Sequence, residues 1–271
     1  ACNFYMPIFD EALDAYGLPL ELRYLPIIES ALNPSAVSRA GASGLWQFMI
    51  GTRKIYGLES NSLVHERRDP IKATWAAARY LKEMYDIYGD WNLVIAAYNC
   101  GPGTINKAIR RANGETDYWK IYNYLPKETR GYVPAFIAAN YVMTYYCDHN
   151  ICPMETNIPA STDTVQVNKN LHFEQIADLC NVPLDQIKSL NPQYKKQMIP
   201  GDSKPYTLRL PIDAISTFID KQDTIYTHRA DELFRNRKTV AVKDITPATR
   251  KTTSAVAGKG NLTYYTIKSG D

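Results

Sequence analysis

Asp90-Trp91-Asn92-Leu93-Val94-Ile95-Ala96-Ala97-Tyr98-Asn99-Cys100-Gly101-Pro102-Gly103 is the stretch on which the fold turns. Asp90 suits an N-cap, where a carboxylate accepts from the unpaired N–H groups of the first helical turn. Behind it residues 91–98 are almost wholly apolar. Such a run, too short to cross a membrane, predicts a helix buried on all sides in a globular core. Gly101-Pro102-Gly103 breaks that helix and opens another over residues 104–112. A helix buried all round needs other helices packed about it, and the flanking sequence supplies them.

Upstream, Asp69-Pro70 joins an N-cap to a proline at the first helical position. The helix it opens spaces Ile71, Trp75, Ala78, Leu81 and Tyr85 along one apolar face. Residues 7–15 carry Ile8, Phe9, Ala12 and Leu13 on one face and stop at Gly17. Residues 20–30 form the next helical stretch, with Pro26 near its middle, where a missing N–H kinks or ends a helix and re-aims its last turn. Residues 44–56 read as a further helix closed by Gly57, and residues 127–146 as a last long one containing Pro134. No strand pattern competes in this half.

The composition changes after Cys152-Pro153. Residues 164–167 alternate like a strand, 173–180 and 184–190 are short helical patterns, and 206–210 alternate again. Residues 212–234 contain a short helix and then turn irregular, and 235–261 are rich in Lys, Thr, Ala and Gly, the composition of a linker. The expected fold class is α+β: a mainly α-helical domain over residues 1–153, a small βααβ domain over 162–212, and a partly helical, then flexible segment over 213–261.

With 271 residues, 45% of them hydrophobic, the chain has material for two modest cores. A formal charge of +3 is too small to imply nucleic acid. Twenty tyrosines against seven phenylalanines is a skew toward side chains with an apolar face and a polar tip, useful in sugar-contacting walls and in ordinary half-buried packing. No stretch has the length of a membrane span and no signal peptide opens the chain, which starts almost directly in a helix. The five cysteines lack C-x-x-C spacing and the four histidines are scattered, so no metal is expected. Cys147 and Cys152 are spaced for a short disulfide in an oxidising compartment.

Glu29 is the leading candidate for chemistry. It ends the apolar stretch Tyr24-Leu25-Pro26-Ile27-Ile28-Glu29-Ser30, and no other Asp or Glu occurs from Ser30 to Leu58. A carboxyl on an apolar helix is disposed to a raised pKa by desolvation and can then serve as a general acid near neutral pH. The alternative is a surface glutamate at a helix end. Of the other carboxylates, Glu66, Asp69, Asp86 and Asp90 flank or lie on helices in capping or surface positions, and Glu59 falls in no motif.

Glu29-Ser30, Gly44-Leu45-Trp46-Gln47-Phe48-Met49, Ala97-Tyr98-Asn99-Cys100-Gly101-Pro102-Gly103 and Tyr132-Val133-Pro134 follow one another in that order. Together they resemble the motif series of lytic transglycosylases with the goose-lysozyme-like fold, glycoside hydrolase family 23. Leu25-Pro26, Arg67-Arg68-Asp69, Leu125-Pro126 and Glu128-Thr129 bring the fit nearest to the membrane-bound murein transglycosylase D type. The resemblance covers roughly residues 4–145. It implies a lysozyme-like catalytic domain that cleaves the β-1,4 bond between N-acetylmuramic acid and N-acetylglucosamine without a cofactor, forming a 1,6-anhydro sugar. Glu29 would be the single acid/base, the substrate's own acetamido and C6 hydroxyl groups replacing a second carboxylate. Ser38 and Gln47 would hydrogen-bond the sugar, or else serve local turns; Phe48 and Met49 would line the cleft, one of them serving the core. Tyr98 and Asn99 would orient the N-acetyl group, and Tyr132 would tune Glu29 or simply pack.

The order strand–helix–helix–strand, with Ile176-Ala177, Leu190-Asn191-Pro192 and Leu210-Pro211, resembles a LysM module, a binder of glycans built on N-acetylglucosamine. Its customary Gly-Asp-Thr-Leu opening is replaced by Asn168-Lys169-Asn170-Leu171, which leaves this copy between a glycan-binding and a structural role. Residues 262–271, ending in Gly270-Asp271, resemble the opening of a second, truncated LysM. The resemblances imply peptidoglycan glycan strands as partner, a monomer, and export to the periplasm or outer-membrane-associated envelope, with any membrane anchor in a segment preceding Ala1. Two alternatives stand beside this reading: a goose-type lysozyme, which needs a second carboxylate to position water, and a catalytically inactive wall-binding scaffold.

Overall fold

A computed structural model describes residues 1–152, 156, 158–159 and 161–235. Residues 236–261 of the expected linker and the expected second LysM opening at 262–271 lie outside the described residues. The α+β class with a predominance of helix is what the structure contains.

Helix α1 (Cys2–Ala15) starts before the expected residue 7 and carries Pro7 inside it. Tyr5 is buried and its ring stacks on that of Phe9 at 6.0 Å, so burial of one more turn offsets the hydrogen bond that proline removes. Residues 20–30 divide at the proline into a 3₁₀ turn (Leu20–Tyr24) and helix α2 (Leu25–Ser30), with Pro26 in the first turn, where it costs nothing. Helix α3 is only Ile50–Ile55; the expectation of a helix from residue 44 is overturned, because Gly44 and Gln47 adopt positive φ of 90° and 48°. Helix α4 (Pro70–Tyr88) is capped by the Asp69 carboxylate, which accepts from the N–H groups of Ile71 and Lys72. Helix α5 (Trp91–Cys100) is capped by Asp90 and buries Leu93, Val94, Ile95, Ala96 and Ala97 in succession, as a central helix must. Helices α6 (Pro102–Arg111), α7 (Tyr118–Ile121) and α8 (Lys127–Thr144) complete the ring around α5.

The second domain pairs β1 (Thr162–Val167) antiparallel with β4 (Tyr206–Pro211), in register from Thr162–Pro211 to Val167–Tyr206. Between them come β2 (Asn170–His172), helices α9 (Phe173–Cys180) and α10 (Leu184–Leu190), and β3 (Met198–Pro200), which pairs with β2. Three further helices follow, α11 (Ile212–Asp220), α12 (Gln222–Thr227) and α13 (Ala230–Leu233), more order than the sequence promised there.

Two cores result. The first gathers Phe9, Trp46, Leu81, Leu93 and Val133 with their neighbours. The second contains Phe173, Ile176, Leu208 and Phe218, and also Leu63 and Val64 from the loop between α3 and α4. That loop is a donated edge: Val64 bridges Tyr194 antiparallel, the His65 N–H donates to the Gln193 carbonyl at 2.8 Å, and the Lys195 N–H donates to the Leu63 carbonyl at 2.6 Å. All five cysteines are free thiols, so the pairing that spacing allows for Cys147 and Cys152 is not formed. No helix among the described residues is long and apolar enough to cross a membrane.

Candidate active site

Glu29 stands in the last turn of α2, which ends at Ala31 and Leu32, both in the left-handed region with φ of 50° and 59°. The turn is fixed by Ser30, whose hydroxyl donates to the Pro26 carbonyl at 3.0 Å and lies equally close to the Leu45 carbonyl. Leu45 belongs to the segment 44–48 expected to be helical. Tertiary contacts hold that segment in its irregular shape: the Tyr98 hydroxyl donates to the Trp46 carbonyl at 2.7 Å, and the Arg67 guanidinium donates to the Phe48 carbonyl at 2.5 Å and to that of Gly41 at 2.8 Å. A side chain at Gly44 would meet the Arg67 carbonyl oxygen at 1.7 Å, so glycine is required by close approach as well as by φ. Trp46 anchors the segment in the core, its indole N–H donating to the Thr74 hydroxyl at 2.9 Å.

Over Glu29 the Tyr132 hydroxyl from α8 donates to the carboxyl Oε1. Burial pushes the Glu29 carboxyl up from 4.5 to about 7; the Tyr132 hydrogen bond acts against this, and the negative charge of Glu128 adds to it. No cation forms an ion pair with Glu29 among the described residues. The same burial and the nearby Glu29 charge hold the Tyr98 and Tyr132 phenols well above their ordinary value, so both remain hydrogen-bond donors.

The candidates from sequence fall into distinct places. Tyr132 bonds Glu29 directly, and Tyr98 is within electrostatic reach of it while its ring lies 5.6 Å from that of Tyr80. Asn99 accepts from the buried Thr129 hydroxyl at 2.8 Å through Oδ1, which leaves the amide's donor capacity on Nδ2. Gln47 donates to the carbonyls of Gly44 at 2.8 Å and Ala36 at 3.3 Å, with its Oε1 available to a ligand. Ser38 is exposed and accepts from the Ala42 N–H at 3.0 Å, closing the local turn. Phe48 is buried in the first core, whereas Met49 is exposed at the head of α3. Sequence reasoning gave no site role to Glu128 or Thr129. The signal was available: Glu128 precedes Tyr132 by four residues, and on α8 that spacing shares a face.

Among the described residues no group of His, Cys, Asp and Glu is arranged to hold a metal ion. A cavity of about 580 Å³ lies in the second domain, lined by Lys169, Asn170, Asp202, Tyr226 and Phe234, and shares no residue with the surroundings of Glu29.

Residues 7–121 match the transglycosylase SLT domain family, and residues 161–227 match the LysM-like domain of the lytic transglycosylase MltD family. The membrane-bound lytic murein transglycosylase D of Escherichia coli (strain K12) is 31% identical over 259 residues, 94% of this chain and 52% of that relative. The soluble lytic murein transglycosylase of the same strain is 33% identical over 124 residues, 44% of this chain and 19% of its own length. The solved 70 kDa soluble lytic transglycosylase from E. coli aligns with 29% identity and a TM-score of 0.45 over 53% of this chain and 24% of that one. The chain thus spans about half the length of the membrane-bound relative it matches.

Proposed function

On the premise that this chain joins a transglycosylase SLT domain to an MltD-type LysM-like domain, we propose that it is a peptidoglycan lytic transglycosylase. The observation that carries this reading is a carboxyl with no ion-pair partner among the described residues, half-buried at the end of α2 with its pKa raised toward neutrality by burial, and with a phenol bonded to it.

Such a group begins the reaction protonated. Glu29 gives its proton to the departing glycosidic oxygen of the β-1,4 bond while the 2-acetamido oxygen of N-acetylmuramic acid attacks C1. The carboxylate so formed keeps its hydrogen bond from Tyr132. It then takes the proton of the C6 hydroxyl, which closes on C1, expels the acetamido oxygen and leaves a 1,6-anhydro sugar. No water is consumed, and Glu29 ends as it began. Asn99, whose Oδ1 is held by Thr129, serves as donor to the sugar through Nδ2 and Gln47 as acceptor through Oε1, with Met49 as an apolar wall and Ser38 acting through its turn. Phe48 shapes the cleft from the core side. Peptidoglycan strands are the partner, the envelope the setting, and the second domain a wall-facing module of a monomeric enzyme.

A hydrolytic version of the same cleavage has one observation in its favour. Glu128 is a second carboxylate whose charge reaches Glu29, and a lysozyme-like route needs one to hold water. Mass spectrometry of soluble products from purified sacculi tests both. Muropeptides one water lighter than lysozyme products, absent with Glu29→Gln, support the transglycosylase. Reducing-end products that vanish with Glu128→Gln establish the hydrolase instead, and sacculi left intact by wild type favour an inactive wall-binding scaffold.

A further inference from the structure

The seam between the two domains ends on the catalytic segment. Its middle is the short run Asn61–Arg67. Asn61 is fully buried, and its side-chain carbonyl accepts from the N–H groups of Leu63 and Val64 at 2.8 and 2.7 Å, forming the turn that sends both side chains into the second core. The second domain clasps the run from its other side. Lys195 Nζ donates to the Asn61 carbonyl at 2.8 Å, and Glu59 accepts from the Tyr206 hydroxyl at 3.0 Å and pairs with Lys204 at 2.7 Å.

Next come His65 and Arg67, 7% and 4% exposed. The backbone N–H of His65 is bonded to Gln193 of the second domain, and its Nε2 accepts from Arg67 Nε at 3.0 Å. Arg67 Nη1 donates to the carbonyls of both Gly41 and Phe48, which bracket the segment bearing Gln47. That segment is bonded in turn to Ser30, beside Glu29, and to Tyr98.

We propose that His65 and Arg67 are positioning residues for the transglycosylase reaction: the second domain sets His65, His65 orients the Arg67 guanidinium through Nε, and Nη1 holds the 41–48 segment in register with Glu29. The inference rests on the activity proposed above. It makes the second domain part of the active-site scaffold as well as a module for wall attachment. Both partners suit the role. Burial and the surrounding cations Arg67, Lys195, Arg68 and Arg53 depress the His65 imidazole to about 3, so it is a permanent neutral acceptor. Burial and the charges of Arg53 and Arg68 lower Arg67 only to about 10, leaving it a full set of donors at neutral pH.

The test uses the whole chain on soluble, uncross-linked glycan strands, where attachment to an insoluble wall has no influence, well below each variant's melting temperature. His65→Phe keeps a ring but removes the acceptor, and His65→Gln restores one. Displacement of a catalytic segment by a fraction of an ångström to one ångström is expected to cost roughly tenfold or more in kcat. The expected result is such a loss for His65→Phe with KM within a factor of about two, and recovery of most of the rate in His65→Gln. Arg67→Lys, which has a carbon where Arg67 has Nε and so leaves His65 without its donor, should fall with His65→Phe. Wild-type kcat in His65→Phe and Arg67→Lys overturns the proposal, and so does an equal loss in His65→Phe and His65→Gln, which would mean packing alone. An inactive wild type alongside inactive variants would remove the activity reading itself; an active wild type with unaffected variants removes only this inference.

Discussion

Glu29 and Glu66 are both carboxylates drawn out of water, and the protein treats them in opposite ways. Glu66, 4% exposed at the seam, accepts from the Glu59 N–H at 2.7 Å and pairs with Lys72 at 2.5 Å. Glu29, half-buried at the end of α2, is bonded to a phenol, has no cation paired with it among the described residues, and feels the repulsion of Glu128. A paired carboxylate is an internal tie; one bonded only to a neutral donor keeps its proton to a higher pH and can deliver it. The difference between structure and chemistry lies largely in the partner: Glu66 is buried and ion-paired, Glu29 half-buried and bonded to a phenol.

The largest expected effect is the loss of activity in Glu29→Gln, about 10²–10⁴-fold for removal of a positioned acid, with the fold retained. Turnover and melting measured together check it, and sustained turnover would break the contrast. Glu66→Gln should do the reverse. It loosens the tie to Lys72, costing about 1–3 kcal/mol in a denaturant titration, while Glu29 keeps its pH behaviour. A third outcome sharpens the point. Raising Glu29 from 4.5 to about 7 means that the folded state keeps a proton the unfolded state has released. The associated stability is fully present below 4.5 and is lost as pH climbs through 7. Glu29→Gln should therefore be more stable than wild type at alkaline pH by up to about 3 kcal/mol, and no more stable at low pH. Smaller still are two opposed shifts in the alkaline limb of kcat/KM, which falls in wild type above about 7. Tyr132→Phe removes a bond that lowers Glu29 and moves the limb to higher pH; Glu128→Gln removes a charge that raises it and moves the limb lower.

Helices α4 and α5 were legible because each carries its own signal. Asp69-Pro70, Asp90 and the 91–98 run state where helices start and which are buried, and the structure agrees to within a residue or two. Glu29 stood out as a candidate from the carboxylate-free stretch that follows it. The 44–48 segment was misread because nothing local fixes its shape: its bonds come from Ser30, Arg67 and Tyr98, distant in sequence. Leu63 and Val64 look like ordinary loop apolars until a second domain is present to bury them. The three-residue strands β2 and β3 are too short for alternation to register, and their pairing depends on Gly201, where a side chain would meet the Lys169 carbonyl oxygen at 2.2 Å.

The most direct measurement is the titration of the Glu29 carboxyl carbon by NMR, assigned by its disappearance in Glu29→Gln. The account predicts a midpoint of about 7, moving upward in Tyr132→Phe. A midpoint at or below 4.5 would mean that Glu29 is already ionised at neutral pH and cannot begin the reaction as its acid.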